Sequence, residues 1–124
     1  MKITIEWDAN YKGVHIKTNT GLSLIVSGQP SMVMNWDDAV RFYNNDEVWK
    51  LPTREHLKLI SKNINDVNTL IVSNGGYEIT GSYWTADEYN EDSSWVVCMD
   101  GCGITGYEYK EFRNCVRPVS AYQK

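Results

Sequence analysis

The sequence predicts a single α+β domain in which short helices pack on a small antiparallel sheet. Three observations support this fold class: a length of 124 residues, the order of the segments, and the spacing of apolar residues within each segment. Strand-like segments come first, helix-like segments follow, and strand-like segments return at the end. Because helices and strands are segregated rather than alternating, this order favours α+β over a parallel doubly wound fold.

The first 28 residues have the pattern of N-terminal strands or a hairpin. Apolar and polar residues alternate in KITIEW and again in GVHIKT, as they do in half-buried strands. The turn sequence Asn19-Thr20-Gly21 then separates two such segments. We therefore predict that residues 12–18 and 22–27 pair as an antiparallel hairpin.

Three helices are predicted in the middle of the chain from their capping residues. Asn35 is expected to cap the first helix, Thr53 the second and Asn65 the third, which the glycines of Asn74-Gly75-Gly76 would end. Apolar residues recur at helical spacing after each cap. The predicted buried faces are Trp36, Ala39, Val40 and Tyr43, then Leu57, Ile60 and Ile64, then Val67, Leu70 and Ile71.

The last third returns to strands, with a final strand predicted over residues 114–119. Earlier strands are expected at 83–86, 93–99 and 104–109. We expect Trp49, Trp84 and Trp95 to bridge the helices and the sheet and to supply much of the core. Arg117 is expected to have a structural role, holding a carboxylate or backbone carbonyls.

Charge and hydropathy exclude two classes of partner. The formal net charge is −4 and the Lys and Arg residues are scattered, so a nucleic-acid partner is not expected. No stretch approaches the roughly 20 apolar residues that span a bilayer, and the start lacks the apolar region of an export signal. We expect a chain that is cytoplasmic as synthesised and inserts in no membrane, with a phage or surface particle as the alternative location.

Three cysteines, Cys98, Cys102 and Cys115, leave one thiol over after any single internal disulfide. The odd number favours buried, reduced cysteines. A Cys98–Cys115 or a Cys102–Cys115 disulfide is the alternative. A zinc site is weakly supported because no His lies nearby in the sequence. No cofactor and no metal are therefore expected.

Several segments, taken in order, match the pattern of one family between about residues 35 and 119. They are NWDDAVRFYNN, VWKLPTREHLKLI, GGYEI, GSYWTADEYNEDSSWVV and CVRPV. The series resembles a bacterial family of C-type-lectin-like domains that includes the C-terminal domain of the collagen-like adhesin Lcl. The resemblance implies one C-type-lectin-like domain over residues 1–124 and a binding or display role, and many members of the family have no assigned function.

Two segments are candidates for a ligand-binding surface. The first is the loop ADEYNEDSS, over residues 86–94, which would collect Asp87, Glu88, Tyr89, Asn90, Glu91 and Asp92. Its carboxylates could also hold Ca²⁺, but a solvated acidic loop is the simpler interpretation. The second is the hairpin over residues 104–113, where Tyr107 and Tyr109 share a face and Lys110, Glu111 and Arg113 follow. Packing of the tyrosines on a half-exposed sheet is the alternative interpretation there.

No arrangement of nucleophile and base, acid pair or phosphate loop stands out. The sequence therefore favours a non-enzymatic module that binds an unidentified protein or glycan. One alternative is a structural subunit of a phage or surface assembly, in which the same surfaces would be contacts within a homo-oligomer or with other subunits. Another is a copper-dependent oxidase of the formylglycine-generating type that uses Cys98 and Cys115.

Overall fold

The computed structural model describes residues 2–101 and 103–122 of the chain. The strands in this part are β1 (Ile3–Asp8), β2 (Gly13–Thr18), β3 (Ser23–Ser27), β4 (Met32–Met34), β5 (Ser82–Glu88), β6 (Ser93–Cys98), β7 (Thr105–Tyr109), β8 (Asn114–Val116) and β9 (Val119–Tyr122). The helices are α1 (Trp36–Asn44), α2 (Arg54–Lys62) and α3 (Ile64–Ser73). Within these residues, no helix has both the length and the apolar character required to cross a membrane.

The strands form two sheets, which we call sheet one and sheet two. Sheet one has the order β1-β2-β3-β9 and is antiparallel throughout, whereas sheet two has the order β4-β8-β5-β6-β7 and contains one parallel pair, β5 with β8. The α+β class is therefore confirmed, and so is the hairpin of β2 and β3. The second sheet and strand β4 were not expected.

The prediction of one strand over residues 114–119 is wrong. The chain leaves sheet two after β8 and enters sheet one with β9, so Arg117 and Pro118 form the crossover between the sheets. Pro118 has no N–H to give to a strand ladder, although its carbonyl accepts the Ser27 N–H at 3.1 Å. Beyond the crossover, Lys50 and Val119 exchange two backbone hydrogen bonds, of 2.8 and 2.9 Å, along the other side of β9.

Two of the three predicted helix caps are confirmed. The Asn35 side chain accepts a hydrogen bond of 2.9 Å from the Asp38 N–H at the start of α1. At the start of α2, the Thr53 hydroxyl accepts from the His56 N–H, and His56 Nδ1 accepts from the Thr53 N–H, both at 3.2 Å. This reciprocal pair satisfies two amides that a helix start leaves without intrahelical partners.

The predicted cap of the third helix is wrong, because α3 begins one residue before Asn65. Ile64 is the first residue of α3 rather than the last of the α2 stripe, and Asn63 occupies the cap position without a side-chain cap bond. The Asn63 amide instead donates to the Leu59 carbonyl at the end of α2. Asn63 thus lies at the junction of α2 and α3 and bonds the end of α2. α3 ends as expected before Gly75, whose φ is +80°.

Two apolar clusters stabilise the fold, one on each face of sheet two. The larger cluster joins sheet one, α2, α3 and one face of sheet two, and the smaller packs α1 against the other face. Trp84 is fully buried in the smaller cluster and Trp49 packs partly against it, as expected. Trp95 is only half-buried, so its prediction as a core residue is wrong.

Arg117 has the structural role that the sequence predicted. Its side chain is 1% exposed and donates to the carbonyls of Ser27 and Glu78, at 2.9 and 3.0 Å, and to the Ser31 hydroxyl at 3.1 Å. Ser27 is the last residue of β3, Ser31 immediately precedes β4, and Glu78 lies in the connection that leads to β5. The guanidinium therefore ties the ends of strands from both sheets to the crossover.

Candidate functional site

The acidic segment predicted as a loop over residues 86–94 is a tight turn between two strands. β5 continues to Glu88 and β6 begins at Ser93, which leaves four residues, 89–92, to connect them. The Asn90 side-chain oxygen accepts from the N–H groups of Asp92 and Ser93 at 2.9 and 2.8 Å. Asn90 thus fixes the turn, as asparagine does when it bonds the backbone that follows it.

The four carboxylates of this segment have different partners. Asp87 accepts the backbone N–H of Arg54 at 2.7 Å, at the start of α2, and Glu88 forms an ion pair of 2.7 Å with Lys110. Glu91 and Asp92 are exposed in the turn. Across residues 2–101 and 103–122, no three His, Cys, Asp or Glu side chains come together in a group that could hold a metal ion. The geometry therefore gives the calcium alternative no support.

Lys110 holds the turn in place through both its side chain and its backbone. Its Nζ contacts Glu88 and also donates to the Glu91 carbonyl at 2.8 Å, and it lies 4.6 Å from the centre of the Trp36 ring. Its backbone N–H donates to the Asp92 carbonyl at 2.8 Å. Because the Lys110 side chain is only 13% exposed, these contacts hold the turn in one position over sheet two.

Three aromatic rings meet above this part of sheet two, and we call Tyr89, Trp95 and Tyr107 the aromatic platform. The Tyr89 and Tyr107 rings are stacked, with centroids 3.8 Å apart and planes 3° from parallel. Trp95 meets both edge to face, at 5.1 Å from Tyr89 and 5.8 Å from Tyr107. The two tyrosines remain 44% and 53% exposed, so the platform presents aromatic surface to solvent.

Strand pairing explains how these three residues meet. Trp95 on β6 lies directly opposite Tyr107 on β7, and the short turn after β5 brings Tyr89 onto the same face. The adjacent Tyr107 hydroxyl raises the pKa of Tyr89, so this phenol stays protonated at neutral pH. The platform is therefore an uncharged surface held on a hydrogen-bonded sheet.

A groove of about 530 Å³, which we call the α2 groove, adjoins the platform. It is lined by Thr53, Arg54, Glu55, Lys58, Asp87, Glu88 and Trp95. The Arg54 guanidinium carbon lies 4.2 Å from the centre of the Trp95 ring, so one face of the indole carries a cation. Charges of both signs thus lie next to uncharged aromatic surface.

Some of the predicted site residues lie at the aromatic platform and the α2 groove, and others lie at a second groove of about 440 Å³. Tyr89 and Tyr107 belong to the platform, and Asp87 and Glu88 line the α2 groove. The second groove is lined by Asn35, Asp37, Glu91, Asp92, Tyr109, Lys110 and Glu111. Tyr109 packs edge to face on Phe112, 5.6 Å away, and Arg113 is exposed beyond it.

Sequence reasoning missed Arg54, Trp95 and Lys110 as site residues. For Trp95 a signal existed, since pairing the predicted strands 93–99 and 104–109 across a four-residue turn places it near Tyr107. Arg54 reaches the site only because α2 packs on β5 and β6, and the sequence contains no local sign of that packing. The role of Lys110 likewise depends on a contact with a turn about 20 residues earlier.

Cys98 and Cys115 are free thiols on opposite sides of β5. Cys98 lies on β6 opposite Ser82, and Cys115 lies on β8 opposite Tyr83, so the two are separated by the width of about two strand spacings, roughly 10 Å. A disulfide needs its Cα atoms within about 7 Å. Burial raises the pKa of both thiols, which lowers their thiolate fraction. The pairing of Cys98 with Cys115 is therefore wrong, and the expectations for Cys102 lie outside the described residues.

Comparison of the sequence with models of known protein families and with curated proteins finds no match in either case.

Proposed function

We propose that this chain is a C-type-lectin-like module that binds a protein or glycan ligand, without catalysis, through the aromatic platform and the α2 groove. The observation that carries the proposal is the exposed stack of Tyr89 on Tyr107 beside Trp95 and Arg54. Tyr, Trp and Arg are the side chains that dominate binding hot spots, because they combine large contact area with polar groups. The ordered match of segments over about residues 35–119 supports the lectin-like scaffold.

Rigidity of the platform favours binding. Ring stacking and strand pairing already order Tyr107 and Trp95, and Asn90 and Lys110 fix the turn that carries Tyr89. A ligand that meets these rings does not have to freeze them, which reduces the entropic cost of association. The charged groups of the α2 groove can then select the ligand through hydrogen bonds and ion pairs.

The described lining of the α2 groove favours binding over catalysis. Its carboxylate Asp87 accepts a backbone amide, and Glu88 is paired with Lys110. Its one hydroxyl, that of Thr53, accepts the His56 N–H at the helix start. These groups are held in structural contacts rather than arranged as a nucleophile beside a base.

The first test is a glycan array and a pull-down with folded protein, each in the presence of calcium and of EDTA. We expect a ligand to be retained, and we expect EDTA to leave its affinity unchanged because the acidic side chains of the turn do not converge. Tyr89→Ala should weaken binding by about tenfold or more, as the loss of a hot-spot ring does.

The matched control is Tyr77→Ala, which removes another exposed tyrosine, 58% exposed against 44% for Tyr89, that lies outside the platform. It should leave the affinity unchanged. Failure of both screens to return a ligand would contradict the proposal, and so would equal effects of Tyr89→Ala and Tyr77→Ala. Circular dichroism of each variant verifies that it is folded.

A structural subunit of a phage or surface assembly is the second candidate function, and the observation that favours it is the open edge of β7. Among the described residues, this strand of sheet two has the neighbour β6 on one side and no strand on the other. The nearby segment also exposes Ile104 and Phe112. Exposed apolar side chains along a strand edge are typical of surfaces that bind other chains.

A further inference from the structure

We infer that two copies of this chain pair antiparallel along β7, about a two-fold axis at Tyr107, to join their second sheets into one ten-stranded sheet. The inference goes beyond ligand binding and does not require a ligand. It rests on the direction of the backbone groups of β7, on the apolar surface along this strand, and on the fit of the strand to a second copy of itself.

The backbone hydrogen bonds show which groups of β7 point away from the sheet. The Ile104 carbonyl accepts from the Cys98 N–H at 2.9 Å and the Lys110 N–H donates to Asp92 at 2.8 Å, so backbone groups of even-numbered residues point toward β6. Backbone groups of the odd-numbered residues Thr105, Tyr107 and Tyr109 therefore point off the edge. The Tyr109 carbonyl turns to accept the Phe112 N–H, whereas the Tyr107 N–H and carbonyl face outward together.

Edge strands that do not pair with another chain are usually protected by proline, by lysine, by a bulge or by an element that covers the edge. The five residues of β7 include neither proline nor lysine, and their pairing with β6 is regular over the whole strand. Within the described chain, α2 packs on β5 and β6 and α1 packs on β5, so the main helix contacts lie inward of this edge. The edge is thus accessible to another strand.

Apolar surface is concentrated along the same strand. Ile104, Tyr107, Tyr109 and Phe112 lie within nine residues and are each 50–64% exposed. A second strand beside β7 would cover part of this surface while satisfying the outward backbone groups. Apolar side chains and outward backbone groups therefore lie on the same edge, which favours the addition of a strand over an irregular contact.

Self-pairing about Tyr107 gives a register without conflicts of charge or size. Tyr107 faces Tyr107 of the second copy, Thr105 faces Tyr109, and Glu108 faces Gly106, which has open space at the position of a side chain. Lys110 faces Ile104, so no two like charges lie directly opposite each other. A two-fold contact of this kind closes on itself and stops at a dimer.

The buried area of one short strand pair is small, so we expect a weak dimer with a Kd between about 10 µM and 1 mM. Because the two-fold axis is perpendicular to the joined sheet, both aromatic platforms would lie on the same face. The dimer would therefore present two binding surfaces side by side, which increases avidity for a ligand with repeated epitopes.

Sedimentation velocity over about 5 µM to 1 mM protein tests the dimer directly. The wild-type chain should shift from monomer to dimer, and Thr105→Pro should remain monomeric because proline removes an outward N–H. Thr105→Val is the matched control, since it removes the hydroxyl but keeps the N–H, and it should still dimerise. A monomer at every wild-type concentration would overturn the inference, as would assemblies larger than a dimer or equal association of the two variants.

A charge exchange at position 107 tests the position of the axis. Tyr107→Lys and Tyr107→Glu should each be monomeric alone, because each places like charges opposite one another, and mixing them should restore a dimer. A mixture that stays monomeric, while the wild-type chain dimerises, would show that the axis does not pass through Tyr107.

Amide exchange gives a measurement without substitutions and separates this inference from the proposed function. Raising the wild-type concentration should slow exchange at Thr105, Tyr107 and Tyr109, while Gly106 and Glu108 stay protected throughout. Exchange that does not depend on concentration would contradict the pairing. Tyr89→Ala should reduce ligand binding without changing the dimer. The proposed ligand-binding function and the proposed dimer can therefore be contradicted independently.

Discussion

His56 completes the hydrogen bonding at the start of α2 in a role that glutamate or glutamine usually fills. Its Nδ1 accepts the Thr53 N–H, which only a neutral imidazole with the proton on the other nitrogen can do. Burial lowers the pKa of His56, while the charges of Glu55 and Asp87 act in the opposite direction. The folded protein therefore holds this ring neutral more strongly than the unfolded chain does.

We expect His56 to make the free energy of unfolding fall as the pH drops through the ordinary histidine value of about 6.5. The unfolded chain takes up a proton there that folded His56 resists, so the unfolded state binds more protons and stability rises with pH. Urea unfolding of the wild-type protein and of His56→Gln, from about pH 8 to pH 5, measures this contribution.

Glutamine keeps an acceptor at the same position but does not titrate, so the variant should lose less stability on acidification. His15 is present in both proteins, so its contribution to the pH dependence of stability cancels in the comparison. Parallel dependences of stability on pH for the two proteins would show that His56 does not act in this way.

At the scale of residues, predictions succeeded where the cause was local. Thr53 was identified as a cap because it follows Pro52 and precedes an apolar face, a pattern contained in a few residues. The contact of Asp87 with the Arg54 amide joins residues 33 positions apart, so no short pattern reveals it. Trp95 was placed in the core on its size, but it lies at a position where Arg54 and two tyrosines cover it only in part.

The starts of α1 and α3 allow a direct test of helix capping in one molecule. Asn35 bonds an amide of the first turn of α1, whereas Asn65 lies exposed within α3. We expect Asn35→Ala to lower the free energy of unfolding by about 1 kcal/mol, and Asn65→Ala to change it by less than about 0.5 kcal/mol.

Urea denaturation of both variants against the wild-type protein provides the measurement, with unchanged denaturant dependence as the sign of two-state unfolding. An Asn65→Ala variant that loses as much stability as Asn35→Ala would indicate that Asn65, rather than Asn63, caps α3.

At the scale of elements, long periodic segments were predictable and short ones were not. β2 alternates apolar and polar residues, β3 contains a continuous apolar run, and a glycine turn separates them, so their pairing could be predicted. β4 has only three residues, Met-Val-Met, which contain no alternation of polar and apolar types. Its strand conformation comes from pairing with β8, more than 80 residues later in the chain.

At the scale of the whole molecule, the buried Arg117 links the two sheets. Its three acceptors lie at the end of β3, just before β4 and in the connection from α3 to β5, and a lysine ammonium cannot reach all of them with the geometry of a guanidinium. We expect Arg117→Lys to lower the free energy of unfolding by about 2–4 kcal/mol, since buried carbonyls and a buried charge would lose partners.

Thermal and urea unfolding, followed by tryptophan fluorescence and circular dichroism, provide the measurement. Arg41→Lys is the control, because the Arg41 side chain is 76% exposed in its pair with Asp38 and should contribute less than about 0.5 kcal/mol. Similar losses for the two variants would contradict the structural role of Arg117.

The assignment of strands to two sheets could not be derived from the sequence. Residues 114–119 were predicted as one strand, but Pro118 cannot donate to a strand ladder and Arg117 bonds distant carbonyls where the chain passes from one sheet to the other. The order of segments fixes the α+β class, whereas the pairings of β3 with β9 and of β4 with β8 join strands about 80 or more residues apart, which no local pattern reveals.

The position of β9 in sheet one has a consequence for synthesis of the chain. β3 leaves the ribosome long before its partner, Val119–Tyr122, which is the last strand of the described chain to emerge. Until then Leu24, Ile25 and Val26, which are fully enclosed in the finished fold, lack their covering strand on that side. An unpaired apolar strand in a nascent chain is a target for chaperones and for misassembly, so sheet one is completed only after β9 has emerged.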